Sequence, residues 1–202
     1  AQIDFKYMRQ LILASRNSGK IREFKRMLAE VSSDIEVLSL IDFPNLPDVE
    51  ETGATLQENA ELKASQITEV TGKTCLADDS GICVDALGGA PGLYSARYSG
   101  HGDAANNAKL LDALKDVSDE VRTAYFICVA AFVRPDGFEH IEEGRFHGRI
   151  AHQIVGSGGF GYDPLFVPDG LNCTSAELSA AEKDAISHRG KAMRAIAPYI
   201  IG

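Results

Sequence analysis

Residues 76–84, LADDSGICV, set two adjacent carboxylates, Asp78 and Asp79, after an apolar run and ahead of Ser80 and Gly81. Acids at the end of a strand that opens into a glycine-bearing loop suit either a solvated turn or a site for a hard metal ion and a phosphate. For Asp79 the site is the stronger reading, because residues 75–77 and 82–84 on its flanks read as core. Glu50 and Glu51 form a second acidic pair in a proline-bearing loop. Mg2+ takes one or two carboxylates together with water and substrate phosphates, so the two acidic loops could share one ion. For Asp48 and Glu50 a solvated turn is the better reading.

Three further segments carry residue types suited to a nucleotide. SRNSGK, residues 15–20, lies where a strand gives way to a helix, a junction with free backbone N–H groups, a favourable dipole and a lysine. It is a reasonable phosphate cradle, or an ordinary turn with Asn17 capping and Lys20 solvated. FGYDPLF, residues 160–166, would suit a base stacked on Phe160 with its edge read by Asp163, or a turn whose phenylalanines are merely buried. AELSAAEKDAISHRGKA, residues 176–192, gathers Lys183, His188, Arg189 and Lys191; for Lys183 and His188 the commoner fate is as surface charges at a helix end.

Other motifs fail on context. GSGGFG, residues 156–161, satisfies GxGxxG, but Tyr162, Asp163 and Pro164 follow where a helix should open. NSGK resembles the end of a P-loop, yet Ala14 stands at its first glycine position and Ile21 follows the lysine instead of Ser or Thr. No GxSxG elbow occurs, which removes support for a serine nucleophile.

The elements that must position these residues alternate. Residues 10–14 read as a buried strand, followed by a helix capped at Asn17 with Ile21, Phe24, Leu28 and Val31 on one face. Residues 35–40 make a second strand. Thr55 and Glu58 form a capping box for a helix to Glu69, and residues 74–77 return as the strand that delivers the Asp pair. Asp103 caps a helix with Leu110, Leu111 and Leu114 inward. Residues 123–133 form a long β-branched and aromatic strand, and RPDGF turns it back into a strand over 138–146. Ser179 and Glu182 cap another helix, and residues 191–199 continue helically. This alternation, with one long hairpin, predicts a mixed α/β domain.

Bulk properties agree. The 202 residues, 45% of them hydrophobic, supply a substantial core. No apolar stretch approaches the roughly 20 residues that span a bilayer, so no membrane partner is expected. With 29 acidic against 20 basic residues the net charge is −9, which disfavours nucleic acid as a partner, although a small anion can still bind where a few cations converge. Cys75, Cys83, Cys128 and Cys173 form no CxxC or Cys/His cluster and read as free thiols. Residues 1–7 precede Met8, a natural start, and are expected to be an extension or leader. Residues 8–202 are expected to form one domain.

Taken together, SRNSGK, EETGATLQENAELKA, LADDSGICVDALGGAPGLYSARYSG, GGFGYDPLF and AELSAAEKDAISHRGKA, in this order, resemble the inosine triphosphate pyrophosphatase family over residues 11–199. One departure is visible: Ser15-Arg16-Asn17 stands where bacterial members usually read Thr-Gly-Asn. The resemblance implies a strongly twisted mixed sheet of long strands flanked by helices, with two lobes around a nucleotide-binding cleft. It implies Mg2+-dependent cleavage of ITP, dITP and XTP to monophosphate and pyrophosphate by a cytoplasmic homodimer. By the same resemblance Asp79, with Glu51, ligates Mg2+; Asp79 orients or deprotonates water and Asp78 supports it. Ser15, Arg16, Asn17, Ser18, Gly19, Lys20, Lys63 and Ser80 hold substrate. Phe160, Gly161, Tyr162, Asp163, Lys183, His188 and Arg189 select the base.

Overall fold

The computed structural model describes residues 8–202; the extension expected over residues 1–7 lies outside them. One six-stranded sheet, ordered β2-β1-β3-β4-β5-β6, organises the chain. β1 (Arg9–Leu13) runs parallel to β2 (Ile35–Ser39) and to β3 (Cys75–Val84). β4 (Thr123–Val133), β5 (Glu139–Ile150) and β6 (Phe166–Pro168) follow in antiparallel order. The mixed α/β class expected from the alternation is the class observed.

Period-two alternation sorts the core. On β4, Cys128, Ala130 and Phe132 pack with Leu11, Leu13 and Leu76 against α1 (Ser18–Val31) and α5 (His188–Ile201). Their neighbours Ile127, Val129, Ala131 and Val133 turn to the other face, against Ala60, Ala64 and Ile67 of α2 (Leu56–Thr71). A third cluster joins Ile82, Val84, Phe126 and Phe166 to Leu110 of α3 (Asp103–Ala113) and to its C-cap residue Leu114. The buried Arg122 ties this end together by donating to the carbonyls of Leu114, Val117, Ile150 and Ala151.

Several local expectations change. β3 does not end at the acids: it continues through Val84, with Asp78 opposite Ala130 and Asp79 opposite Val129. Cross-strand pairing to the long β4 carries it past the glycine. The return strand of the hairpin runs to Ile150, because all of β4 finds a partner. Asn17 caps α1 as expected, but Val31 is exposed and Met27 takes the buried place. Thr55 caps α2, whereas the Glu58 carboxylate reaches Ala54 N instead of the cap residue, so the box is only half made. Gly102 occupies the cap of α3, and Asp103 is its first residue. Ser179 and Glu182 form the expected capping box of α4 (Ala180–Ile186), while α5 starts at His188, earlier than expected, under a cap from Ser187.

α5 approaches β5 closely at Gly144, where an added Cβ would collide with the His188 carbonyl and the Ala192 amide. Gly144→Ala is therefore expected to push the first turn of α5 off the sheet. The cost should be about 1–3 kcal/mol, read as a lowered melting temperature in calorimetry.

Candidate functional site

β1 stops pairing with β3 after Leu13↔Leu76, and the chain then leaves the sheet as the turn that leads into α1. β3 continues without a strand beside it on that side, meeting only a bridge from Cys83 to Pro91 near its end. The space beside its free stretch is a cavity of about 470 Å³, a volume that suits a small-molecule ligand. Ser15, Arg16, Asn17, Lys20, Glu51, Lys63, Asp79, Ser80, Phe160, Gly161, Tyr162, Asp163, Lys183, His188 and Arg189 all line it.

The pleat separates the two acids of the Asp pair. Asp78 and Ser80 share one face with Leu76, and Asp79 takes the other. Asp78 is 2% exposed and lies below the cavity, outside its lining. Its Oδ2 sits 3.4 Å from both Lys20 Nζ and Arg189 Nη2. Burial alone would raise its carboxyl, but the charges of Lys20, Arg189 and Lys63 outweigh that and hold it far below the carboxylate range. Asp78 is thus a buried counter-ion and does not reach the space a ligand would fill.

The network extends from there. Arg189, 1% exposed, also donates to Glu23 Oε1 at 2.9 Å and to Ser80 Oγ at 3.0 Å. Lys183 bridges Glu23 Oε2 at 3.2 Å and Asp163 Oδ2 at 2.5 Å. Three acids, Asp78, Glu23 and Asp163, therefore face three cations, Lys20, Arg189 and Lys183. Lys183 and His188 are buried members of the site and not surface charges, because α4 and α5 fold back onto α1 and the sheet. His188 stacks on Phe126 at 4.7 Å between centroids and 11° between planes. Burial, then the positive charges of Arg189 and Lys183, push its pKa well below the usual value, so the ring is neutral.

On the other face, Asn59 Nδ2 donates to Asp79 Oδ2 at 3.1 Å while its Oδ1 accepts from Gly53 N at 2.8 Å. Lys63 Nζ lies 3.4 Å from Glu51 Oε1 and donates to the Asp78 carbonyl. Burial raises the Asp79 pKa; Lys63 and Lys20 oppose the rise and Glu51 adds to it.

The first loop is organised differently from a plain phosphate cradle. Asn17 Oδ1 accepts from Lys20 N, and Ser15 Oγ accepts from Asn17 N. Arg16 turns away to grip the neighbouring loop, donating to the Leu40 and Leu46 carbonyls at 2.7 and 2.6 Å and pairing with Asp48 at 2.8 Å. Its bulk is accommodated because the guanidinium has this loop to bind. Ser18 and Gly19 do not line the cavity. Gly19 lies against the Phe160 ring, where any Cβ would collide. Asp163 is occupied by Phe160 N and Lys183, which leaves it little capacity to read a base edge directly. Glu23 and Asn59 were not expected; each sits within an ordinary helical stretch, and neither carries a local signal.

An open cavity with a carboxylate and a lysine on one side and an aromatic with buried cations on the other defines a nucleotide-handling α/β protein. The chain belongs to the Ham1 family, whose pattern matches residues 11–199. It is 51% identical over 195 residues to a dITP/XTP pyrophosphatase of Streptomyces coelicolor, covering 96% of this chain and 98% of that one. It is 54% identical over 187 residues to a dITP/XTP pyrophosphatase of Pseudomonas syringae pv. tomato, covering 91% and 93%. The solved structure of a HAM1 protein from Coxiella burnetii superposes with a TM-score of 0.84 at 39% identity, covering 96% and 99%.

Neutral burial of His188 has a pH consequence. The unfolded chain takes up a proton at this ring below about pH 6.5 and the folded chain does not, so stability falls as pH drops through that value. Glu23 and Asp78, both lowered, add losses only below about pH 4.5. Urea midpoints are expected to decline from pH 7 to 5, and His188→Gln is expected to flatten that decline.

Proposed function

We propose that this chain is a Mg2+-dependent nucleoside triphosphate pyrophosphatase that hydrolyses non-standard purine nucleotides, ITP, dITP and XTP, to the monophosphate and pyrophosphate, and so clears them from the nucleotide pool. Membership of the Ham1 family, and the names of relatives about half identical along nearly the whole chain, support an enzyme of this class.

One observation carries the finer reading: charge is balanced on one face of β3 and unbalanced on the other. Around Asp78 three acids meet three cations. Around Asp79, Lys63 faces two acids, Glu51 and Asp79, while Lys20 has its ion pair with Asp78. The surplus negative charge sits where a cation would relieve it. Its donors are all hard oxygens, and no group of three His, Cys, Asp or Glu able to hold a metal occurs among the described residues. That set fits Mg2+, which completes its shell with water and substrate phosphates, and does not fit zinc. Asp79 and Glu51 would hold the ion. When bound it would supply charge neutralisation for the phosphates.

The chain's own residues account for the rest. Lys20 and Lys63 attract and orient the phosphates, lowering the repulsion that protects a phosphoanhydride from a nucleophile. Asp79, with one oxygen held by Asn59, accepts the proton of the attacking water. Ser80 touches substrate from the strand. The base lies by Phe160, within reach of Lys183 and Arg189. Hypoxanthine and xanthine offer an O6 acceptor to such donors, whereas adenine offers an amino group and leaves them unmatched, a loss of about 1–3 kcal/mol per group.

The assay is pyrophosphate release from ITP, XTP, GTP, ATP and dTTP, with and without EDTA. ITP and XTP are expected to be fastest and EDTA to stop turnover. Asp79→Asn is expected to lower kcat at least about a hundredfold with its circular dichroism unchanged. Near wild-type release from that variant, or inorganic phosphate as first product, would overturn the mechanism.

The resemblance also supports a cytoplasmic homodimer with no nucleic-acid or membrane partner; no described helix is long and apolar enough to cross a membrane. Sedimentation equilibrium is expected to give about twice the 21.7 kDa chain mass, and a monomer at micromolar concentration would refute the dimer.

A further inference from the structure

The Phe160 wall of the cavity stands on a glycine-rich loop. Gly156, Gly159 and Gly161 all have positive φ, and Gly161 has φ +60°. Such a loop has many conformations open to it, so a fixed Phe160 needs outside support. α3 supplies it at both ends of one residue. Asp103 Oδ2 accepts from Gly161 N at 2.8 Å, and Asn107 Nδ2 donates to the Gly161 carbonyl at 3.0 Å. Asn107 is buried, and its Oδ1 has no hydrogen-bond partner, so its amide is oriented by Gly161 alone.

The same turn of α3 holds the adjoining wall. Asn106 donates to the Ala96 carbonyl at 3.1 Å and accepts from Ser99 N at 2.7 Å, and the Tyr162 hydroxyl donates to the Ser95 carbonyl at 2.6 Å. Behind Phe160 there is no slack: its ring lies against Gly19, with Lys183 Nζ 4.9 Å and Arg189 Cζ 5.5 Å from its centroid. With Gly161 released, the ring could only move into the cavity or away from the two cations.

We propose that Asp103 and Asn107 are positioning residues for the nucleobase: by clamping both polar groups of Gly161 they fix the Phe160 platform, and so set affinity for the base without touching the phosphate end. This rests on the pyrophosphatase reading. The phosphate-facing groups Lys20, Lys63 and Asp79 share no hydrogen bond with α3, so the two ends of the substrate should respond separately.

Asp103 is exposed on the first turn of α3, so its replacement leaves the core intact. Pyrophosphate release from ITP and ATP is measured for wild type, Asp103→Ala and Asp103→Asn, together with inhibition by inorganic tripolyphosphate, which has no base, and melting temperatures. Asp103→Ala is expected to raise KM for ITP about fivefold, the worth of one hydrogen bond, with kcat changed less than twofold and tripolyphosphate inhibition unaltered. It should narrow the preference for ITP over ATP. Asp103→Asn, which keeps an acceptor for Gly161 N, is expected to restore the wild-type KM. An unchanged KM in Asp103→Ala, an equal weakening of tripolyphosphate, a failure of Asn to rescue, or a fall in kcat parallel to a fall in melting temperature would each overturn the proposal. Absence of pyrophosphate release from the wild type would instead refute the pyrophosphatase reading itself.

Discussion

A carboxylate buried in the middle of a sheet obliges the rest of the molecule to answer it. Asp78 lies among apolar residues on the α1 and α5 face of β3, between the core around Leu76 and the core around Ile82. A charge there is tolerated only if cations are brought to it with good geometry. Lys20 comes from α1 and Arg189 from α5, across 58 and 111 residues of sequence; Glu23, Lys183 and Asp163 then neutralise and fill the donors left over. Such networks contribute little net stability, since desolvation offsets most of the attraction. Their consequence here is positional: the start of α1, the end of α4, the start of α5 and the loop at Asp163 are all referred to one point on β3.

The cavity follows from a mismatch of strand lengths. β1 has five residues and β3 has ten, so the chain leaving β1 exposes the edge of β3 just where the acids lie. An open strand edge is usually a liability. Here the Lys63 ammonium caps the Asp78 carbonyl, Ser95 Oγ accepts from Ile82 N, and the residues between become one wall of the binding space. Because the pleat places neighbours on opposite faces, the acid that anchors the network and the acid that faces α2 had to be adjacent. The Asp-Asp pair is one carboxylate buried in the ion network and one that lines the cavity, separated by the strand itself.

This arrangement reconciles an acidic protein with a triphosphate. The global charge of −9 repels polyanions, yet Lys20 and Lys63 both line one concave site, so local geometry offers cations that the overall charge does not. Arg16 is not part of that field: its guanidinium is consumed by the loop that bears Asp48 and leads to Glu51, so a residue that departs from the usual glycine builds a wall instead of binding an anion.

Where a local interaction decides the outcome, the residues announce it. Asn17 and the Ser179–Glu182 box start helices through hydrogen bonds made within three residues, RPDGF turns the hairpin through Gly137 and the Asp136 side chain, and the alternation along β4 sorts its faces. The order of motifs also disclosed the family. The limits of β3 and β5 were not legible, since a strand lasts as long as its partner, and for β3 that partner lies some 50 residues away. Nor were the roles of Glu23, Asn59, Asp103 and Asn107, each an unremarkable polar residue on a helix until another element arrives beside it. The sequence by itself determined which residues could meet phosphate, metal and base; tertiary structure decided which of two adjacent acids faces the cavity and what holds Phe160 there, because burial and long-range pairing are properties of the assembled sheet and helices and not of any segment.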